Sequence, residues 1–188
     1  MNLLNGPSHL VVAALAGRRI DAPGSTPRFP LQCVDQVRNK LEQLFDVEKV
    51  GLLVCSAACG ADLIALEVAR KKAIRYRIVL PFSIEQFRRS SVVDRPGNWG
   101  PSFDEIIGSV PASHLTVLHS LAEADDAYEA ATREIVRQAV AVAAPAKALA
   151  IAVWEGKDRQ GADATALFLR YARQIGMSAR MVSTCGGK

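Results

Sequence analysis

Residues 50–72, VGLLVCSAACGADLIALEVARKK, constrain what this chain can fold into more than any other stretch. They open on an apolar run, residues 50–54, of the length and composition of a strand buried on both faces. Six small residues follow, from Ser56 to Ala61, and then Asp62 and a segment in which Glu67 is the polar exception. Arg70, Lys71 and Lys72 close it with the positive charge that a helix C-terminus favours. Strand, tight turn and buried helix make the first half of a βαβ unit. Such a turn can present main-chain N–H groups and the positive helix end to an anion, a cradle for phosphate. It serves equally for close strand–helix packing, and spacing alone does not separate the two uses.

The same alternation runs along the whole chain. Residues 10–16 (LVVAALA), 76–80, 114–119, 148–153 and 178–182 read as further strands. Pro30 starts a helix carrying Val34, Val37, Leu41, Leu44 and Phe45 at helical spacing. Ser83 with Gln86, and Ser102 with Glu105, read as capping boxes of short helices, with residues 88–101 between them as a loop. Asp126 with Glu129 starts the longest helix, which Pro145 ends. The last helix begins near Asp163 and stops at Gly176. The expectation is an α/β protein: a Rossmann-like three-layer sandwich around a mostly parallel sheet of about six strands. At 188 residues it suits a single domain spanning 1–188.

Composition excludes several classes. Hydrophobic residues at 49% with charged residues at 22% describe a folded chain, not a disordered one. No apolar run approaches the ~18 residues of a membrane span, and the N-terminal residues lack the pattern of a signal peptide, so a cytoplasmic protein is expected. The net charge of +4 suits an anionic small molecule and is too mild and scattered to argue for nucleic acid. Cys33, Cys55, Cys59 and Cys185 form no CxxC array, and neither they nor His9, His114 and His119 have metal-ligand spacing. Reduced thiols, no metal and no resident cofactor are expected. A homo-oligomer is compatible with a fold of this type, but no face is singled out.

Ligands of open parallel sheets bind beyond the carboxyl ends of the strands, where strand order reverses. The residues there are Gly17, Arg18, Arg19 and Asp21 after the first strand, and Ser56, Gly60, Ala61 and Asp62 after the second. Pro81, Phe82 and Ser83 follow the third, His119 and Ser120 the fourth, and Trp154, Glu155 and Gly156 the fifth. Small, basic and hydroxyl residues in these places suit a phosphate-bearing ligand held by amides and a guanidinium. Arg18 and Arg19 serve as well as a solvated pair at a strand end. Asp62 can cap its helix or accept a ribose hydroxyl. Glu67 has Arg70 or Lys71 within reach as ion-pair partners, and becomes a candidate acid or base if its pKa is raised. Residues 88–101 can act as a lid, with Trp99 as a stacking face or as an anchor to the core. Ser56 has no histidine and acid partners and no GxSxG around it, which excludes a serine hydrolase. GRRID after the first strand, in place of GxGxxG, disfavours an NAD(P)-dependent oxidoreductase.

The succession AGRRIDAPG, PRFP, CSAACGADLIALEVA, IVLPFSIEQFRRSSVVDRPGNWG and AVWEGKDRQGADAT resembles the SLOG superfamily. These are Rossmann-like domains named for the DprA-type DNA-processing proteins and the LOG cytokinin-activating enzymes. The resemblance spans nearly the whole chain and is most specific at the turn SAACGADLIALE. It implies binding of a nucleotide or nucleotide-derived ligand, with Gly17 and Arg18 on the first loop and Ser56, Gly60, Ala61 and Asp62 on the second. LOG enzymes cleave the N-glycosidic bond of a nucleoside 5′-monophosphate and carry a PGGxGTxxE motif. Here the counterpart, Gly161 to Thr165, lacks the glycine pair and the acidic partner. Two readings stand: a nucleotide-binding module acting as a ligand sensor, and a hydrolase with Glu67 or Asp62 as its acidic group.

Overall fold

The buried apolar runs pair into one six-stranded sheet in which every neighbouring pair is parallel. The computed structural model describes residues 10–118, 124–158 and 163–184. The strands are β1 (Val11–Gly17), β2 (Val50–Cys55), β3 (Arg75–Leu80), β4 (Leu115–Val117), β5 (Leu149–Val153) and β6 (Ser178–Val182). Between them lie α1 (Val34–Val47), α2 (Ala61–Lys71), α3 (Ile84–Phe87), α4 (Trp99–Ser109), α5 (Ala124–Ala143) and α6 (Ala164–Gln174). The spatial order is β4-β3-β2-β1-β5-β6. The chain therefore steps outward from β1 to β4, returns through α5, and resumes on the other side of β1.

The period-two alternation of the central strands divides the core into two layers. Ala13 and Leu15 of β1 and Leu149, Ile151 and Val153 of β5 face one side, where α1, α2 and α4 pack. Ala14 of β1 and Ala150 and Ala152 of β5 face the other, against Ala131, Ile135 and Ala139 of α5 and Phe168 and Leu169 of α6. Alanines on this second face let α5 and α6 lie close to the sheet. Helices on both faces of an all-parallel sheet make the Rossmann-like sandwich expected. No helix among the described residues is long and apolar enough to cross a membrane.

Most helix ends follow their sequence signals. Ser83 caps α3 by accepting from the Gln86 amide, Asp163 caps α6, and Gly176 sits at φ +73° just past it. The segment 88–101 differs. Residues 88–92 form one π-helical turn, and α4 begins at Trp99, not at Phe103. Pro101 falls in the first turn of α4, where a missing N–H breaks no helical bond. Ser102 thus lies within the helix and caps nothing; its hydroxyl donates to Glu67. Trp99 is 6% exposed, and its indole N–H donates to Pro96 O at 2.8 Å. It anchors the start of α4 and offers no stacking face.

Candidate functional site

Strand order reverses between β1 and β5, and the carboxyl ends of these two strands meet the start of α2 there. The approach is tight. A Cβ on Gly17 would lie 2.4 Å from the Ala61 Cβ and 2.8 Å from Val153 O. Gly60 has φ +91°, and a Cβ there would meet the backbone of Arg18 and Ile20 at 2.8 and 2.9 Å. Only glycine fits a left-handed backbone pressed against another main chain. Arg18 ties the two strand ends together, donating its amide to Val153 O at 2.9 Å and accepting the Ala61 amide at 3.1 Å.

The Arg18 side chain is 3% exposed and lies at the centre of an ion cluster. Its Nε donates to Glu155 Oε2 and its Nη1 to Asp163 Oδ1, each at 2.7 Å. Its Nη2 donates to Glu155 Oε1 and to Lys157 O, and the guanidinium carbon stands 5.4 Å from the Trp154 ring centre. Arg28 adds a bond to Glu155 at 3.0 Å. Burial alone would raise the Glu155 carboxyl, but the Arg18 hydrogen bonds override it and hold it below its ordinary range. Burial likewise opposes the charge on Arg18, and bonding to Asp163 and Glu155 raises its pKa all the same. Asp163 in turn accepts the Thr165 and Ala166 amides at 3.0 Å each, so one buried arginine joins β1 and the β5 loop to the start of α6.

Several amides of the bend after β2 are already engaged. The Ala58 amide donates to Asp62 Oδ2 at 3.2 Å, Cys59 to Ser91 O at 3.0 Å, Ala61 to Arg18 O and Leu63 to Ala58 O. These four are taken up by the protein itself and are not open to a phosphate. Asp62 occupies the place an anion would take, in the first turn of α2. Only 7% of Asp62 is exposed. Burial pushes its carboxyl up to about 7, against the pull of the Ala58 N–H and the Arg19 charge.

A cleft of about 670 Å³ opens over this crossing, a size suited to a small-molecule ligand. Gly17, Arg18, Arg19, Ser56 and Asp62, all singled out in the sequence, line it. Ser56 Oγ is buried and finds no hydrogen-bond partner among the described residues. Arg28, Ser91, Arg95, Asp163 and Arg170 line it as well; Ser91 and Arg95 belong to the segment read from sequence as a lid, and Asp163 to the start of the last helix. Asp125, Tyr128 and Glu129 come from the first turns of α5, read from sequence only as helix start and inward face. The Tyr128 hydroxyl lies 2.6 Å from Ser91 Oγ.

Other predicted residues stand apart from the cleft wall. Gly60 and Ala61 are buried behind the bend. Phe82 packs edge-on against Tyr128 at 5.6 Å, Glu155 is held by Arg18 and Arg28, and Gly156 turns the loop at φ +85°. Glu67 faces α1 and α4, accepting from Arg38 at 2.6 Å and from Ser102 at 2.5 Å. The partners expected for it go elsewhere, Arg70 to Glu105 and Lys71 to Glu42. Glu67 thus lies outside the cleft wall, held between α1 and α4. Ser120, His119, His9 and Cys185 lie outside the described residues. Cys55 and Cys59 are buried; burial drives the first thiol well above its ordinary pKa and the second up to about 11. Among the described residues no cluster of metal-ligating side chains occurs.

No protein-family model matches the chain, and no curated protein matches its sequence. Its fold is similar to the X-ray structure of DNA processing protein A (DprA) from Streptococcus pneumoniae, with a TM-score of 0.43 and 14% sequence identity. That match covers 92% of this chain and 59% of the other, so this chain spans about three fifths of that protein's length.

Proposed function

We propose that the cleft at the β1/β5 crossing binds a nucleotide or nucleotide-derived phosphorylated small molecule, the protein serving as a ligand sensor. The observation that carries this reading is the buried Asp62 at the floor of a 670 Å³ cleft that Arg19, Arg28, Arg95 and Arg170 also line. A buried carboxyl with one amide donor retains capacity to accept a ligand hydroxyl or ring N–H. Ser56 adds a buried hydroxyl whose unmade hydrogen bond a ligand group would recover. Arginines pair with phosphate through parallel N–H bonds. The resemblance of these loops to the SLOG superfamily points to the same ligand class.

Calorimetric titration with a panel of nucleoside monophosphates tests the reading. Saturable binding to at least one, weakened about tenfold or more by Asp62→Asn, is expected for loss of a charged hydrogen-bond partner. Absence of binding and of thermal stabilisation across the panel would overturn it.

One observation favours a second reading. A carboxyl near pKa 7 in a cleft suits a general acid. In N-glycosidic hydrolysis Asp62 would give its proton to the departing base as the C–N bond breaks. Water would supply the new C–O bond, and its released proton would restore the carboxyl. Free base released from a nucleoside 5′-monophosphate supports the enzyme; saturable binding with unchanged ligand supports the sensor.

A further inference from the structure

The helix ends that could hold phosphate at this cleft are already supplied with carboxylates. Asp163 takes two amides at the start of α6, Asp62 takes the Ala58 amide beside α2, and Asp125 and Asp126 stand in the first turn of α5. A bound anion must therefore be met by side chains. Of the arginines in the wall, Arg18 is saturated by Glu155, Asp163 and Lys157 O, and Arg28 is paired with Glu155. Arg170 faces Asp158 at 3.4 Å on the exposed side.

Arg19 and Arg95 differ from these. They come from separate loops, one after β1 and one between the π-helical turn and α4, and they share a single carboxylate, Asp94. Arg19 Nη1 donates to its two oxygens at 2.9 and 3.1 Å, and Arg95 Nε donates to Oδ2 at 3.2 Å. Both guanidiniums bond this one carboxylate, and the charge of Arg19 also reaches Asp62. Arg19 Nη1 also donates to Ser90 O, whereas Arg19 Nη2 and both terminal nitrogens of Arg95 donate to nothing among the described residues. All three side chains are between a quarter and a third exposed, and the two arginines line the cleft while Asp94 does not.

We infer that Arg19 and Arg95 form the anion-binding end of the cleft, where a ligand's phosphate competes with the Asp94 carboxylate for their guanidiniums. This rests on the nucleotide-class reading above and deepens it. A phosphate dianion offers more charge and more acceptor oxygens to two guanidinium forks than one carboxylate does. Arg19 lies close enough to Asp62 for its charge to act on that carboxyl. A ligand with phosphate at Arg19 and Arg95 can therefore reach toward Asp62 with its hydroxyl-bearing part.

Titration calorimetry on the full chain, with a nucleoside monophosphate, its parent nucleoside and pyrophosphate as probes, tests this in wild type, Arg95→Gln and Asp94→Asn. The partly exposed sites make both variants tolerable to the fold, and circular dichroism checks it. Arg95→Gln is expected to lower the ratio of nucleotide to nucleoside affinity about tenfold, the effect of one charge-assisted hydrogen bond. Asp94→Asn is expected to bind the nucleotide several-fold tighter, since it removes the competing charge; a merely structural ion pair predicts no gain. Nucleotide binding that Arg95→Gln leaves unchanged, or that Asp94→Asn weakens, overturns the inference and leaves the nucleotide reading standing. Pyrophosphate binding lost in Arg95→Gln, with no nucleotide bound by wild type, supports the anion site and removes the nucleotide reading. Failure of every phosphorylated probe to bind wild type removes both.

Discussion

Asp62 shows how one side chain can close one kind of site and open another. By accepting the Ala58 amide it takes up an N–H that a phosphate would have used, and by being buried it acquires a carboxyl near neutrality. A consequence for stability follows from the sign of that shift. Its folded pKa, about 7, lies above the ordinary 3.8 of an Asp carboxyl, so the folded state holds the proton more tightly than the unfolded chain. The stability this gives is complete below about pH 4 and is lost as pH rises through 7. At about 1.4 kcal/mol per unit, the loss is on the order of 4 kcal/mol at most. Asp62→Asn keeps an oxygen for the Ala58 N–H and removes the charge. Denaturant melts between pH 5 and pH 8.5 should therefore show wild type losing stability relative to the variant as pH rises; parallel profiles would mean Asp62 is not buried as described. Glu67, the other carboxylate of α2, was legible as a polar residue on an apolar helix, but its partners were not. They come from α1 and α4, whose placement no local spacing encodes.

At the scale of elements, β2 and β5 were readable because a strand buried on both faces must be a short apolar run, and both are such runs within a residue of their ends; β3 carries two arginines and is buried over its last three residues. The start of α4 was not readable, because Pro101 looks like a breaker until its place in the first turn is known. Gly17, Arg18, Arg19, Ser56 and Asp62 could be assigned to the cleft because strand ends fix where they lie. Arg95 could be placed only within a segment read as a lid and Asp163 only at a helix start, since loop side chains follow no period. That several amides of the bend are engaged could not be read for a related reason: the acceptors Arg18 O and Ser91 O arrive from distant loops. Arg18 is the tie among these elements. Arg18→Met would leave the buried Asp163 and Glu155 carboxylates without their main cation, at a cost of about 3–5 kcal/mol. A substantial drop in melting temperature is expected; a change within error would show that Arg28 and the amides at α6 suffice.

Across the whole molecule, the path of the chain determines where chemistry can occur. Three strands, β2 to β4, step away from β1, and α5 carries the chain back over the sheet to place β5 on its other side. The reversal brings the loops after β1, β2 and β5 and the starts of α2, α5 and α6 around one cleft. Its floor is a buried carboxyl bonded to the Ala58 amide and a hydroxyl without a partner among the described residues, and two guanidiniums that share one counter-ion line its wall. Amide-resolved NMR of the isotope-labelled protein, titrated with a nucleoside 5′-monophosphate, locates the ligand directly. Saturable shifts concentrated at residues 17–19, 56–62, 94–95 and 163–166 are the predicted result. Shifts confined to the outer strands β4 and β6, or none at millimolar ligand, would contradict it.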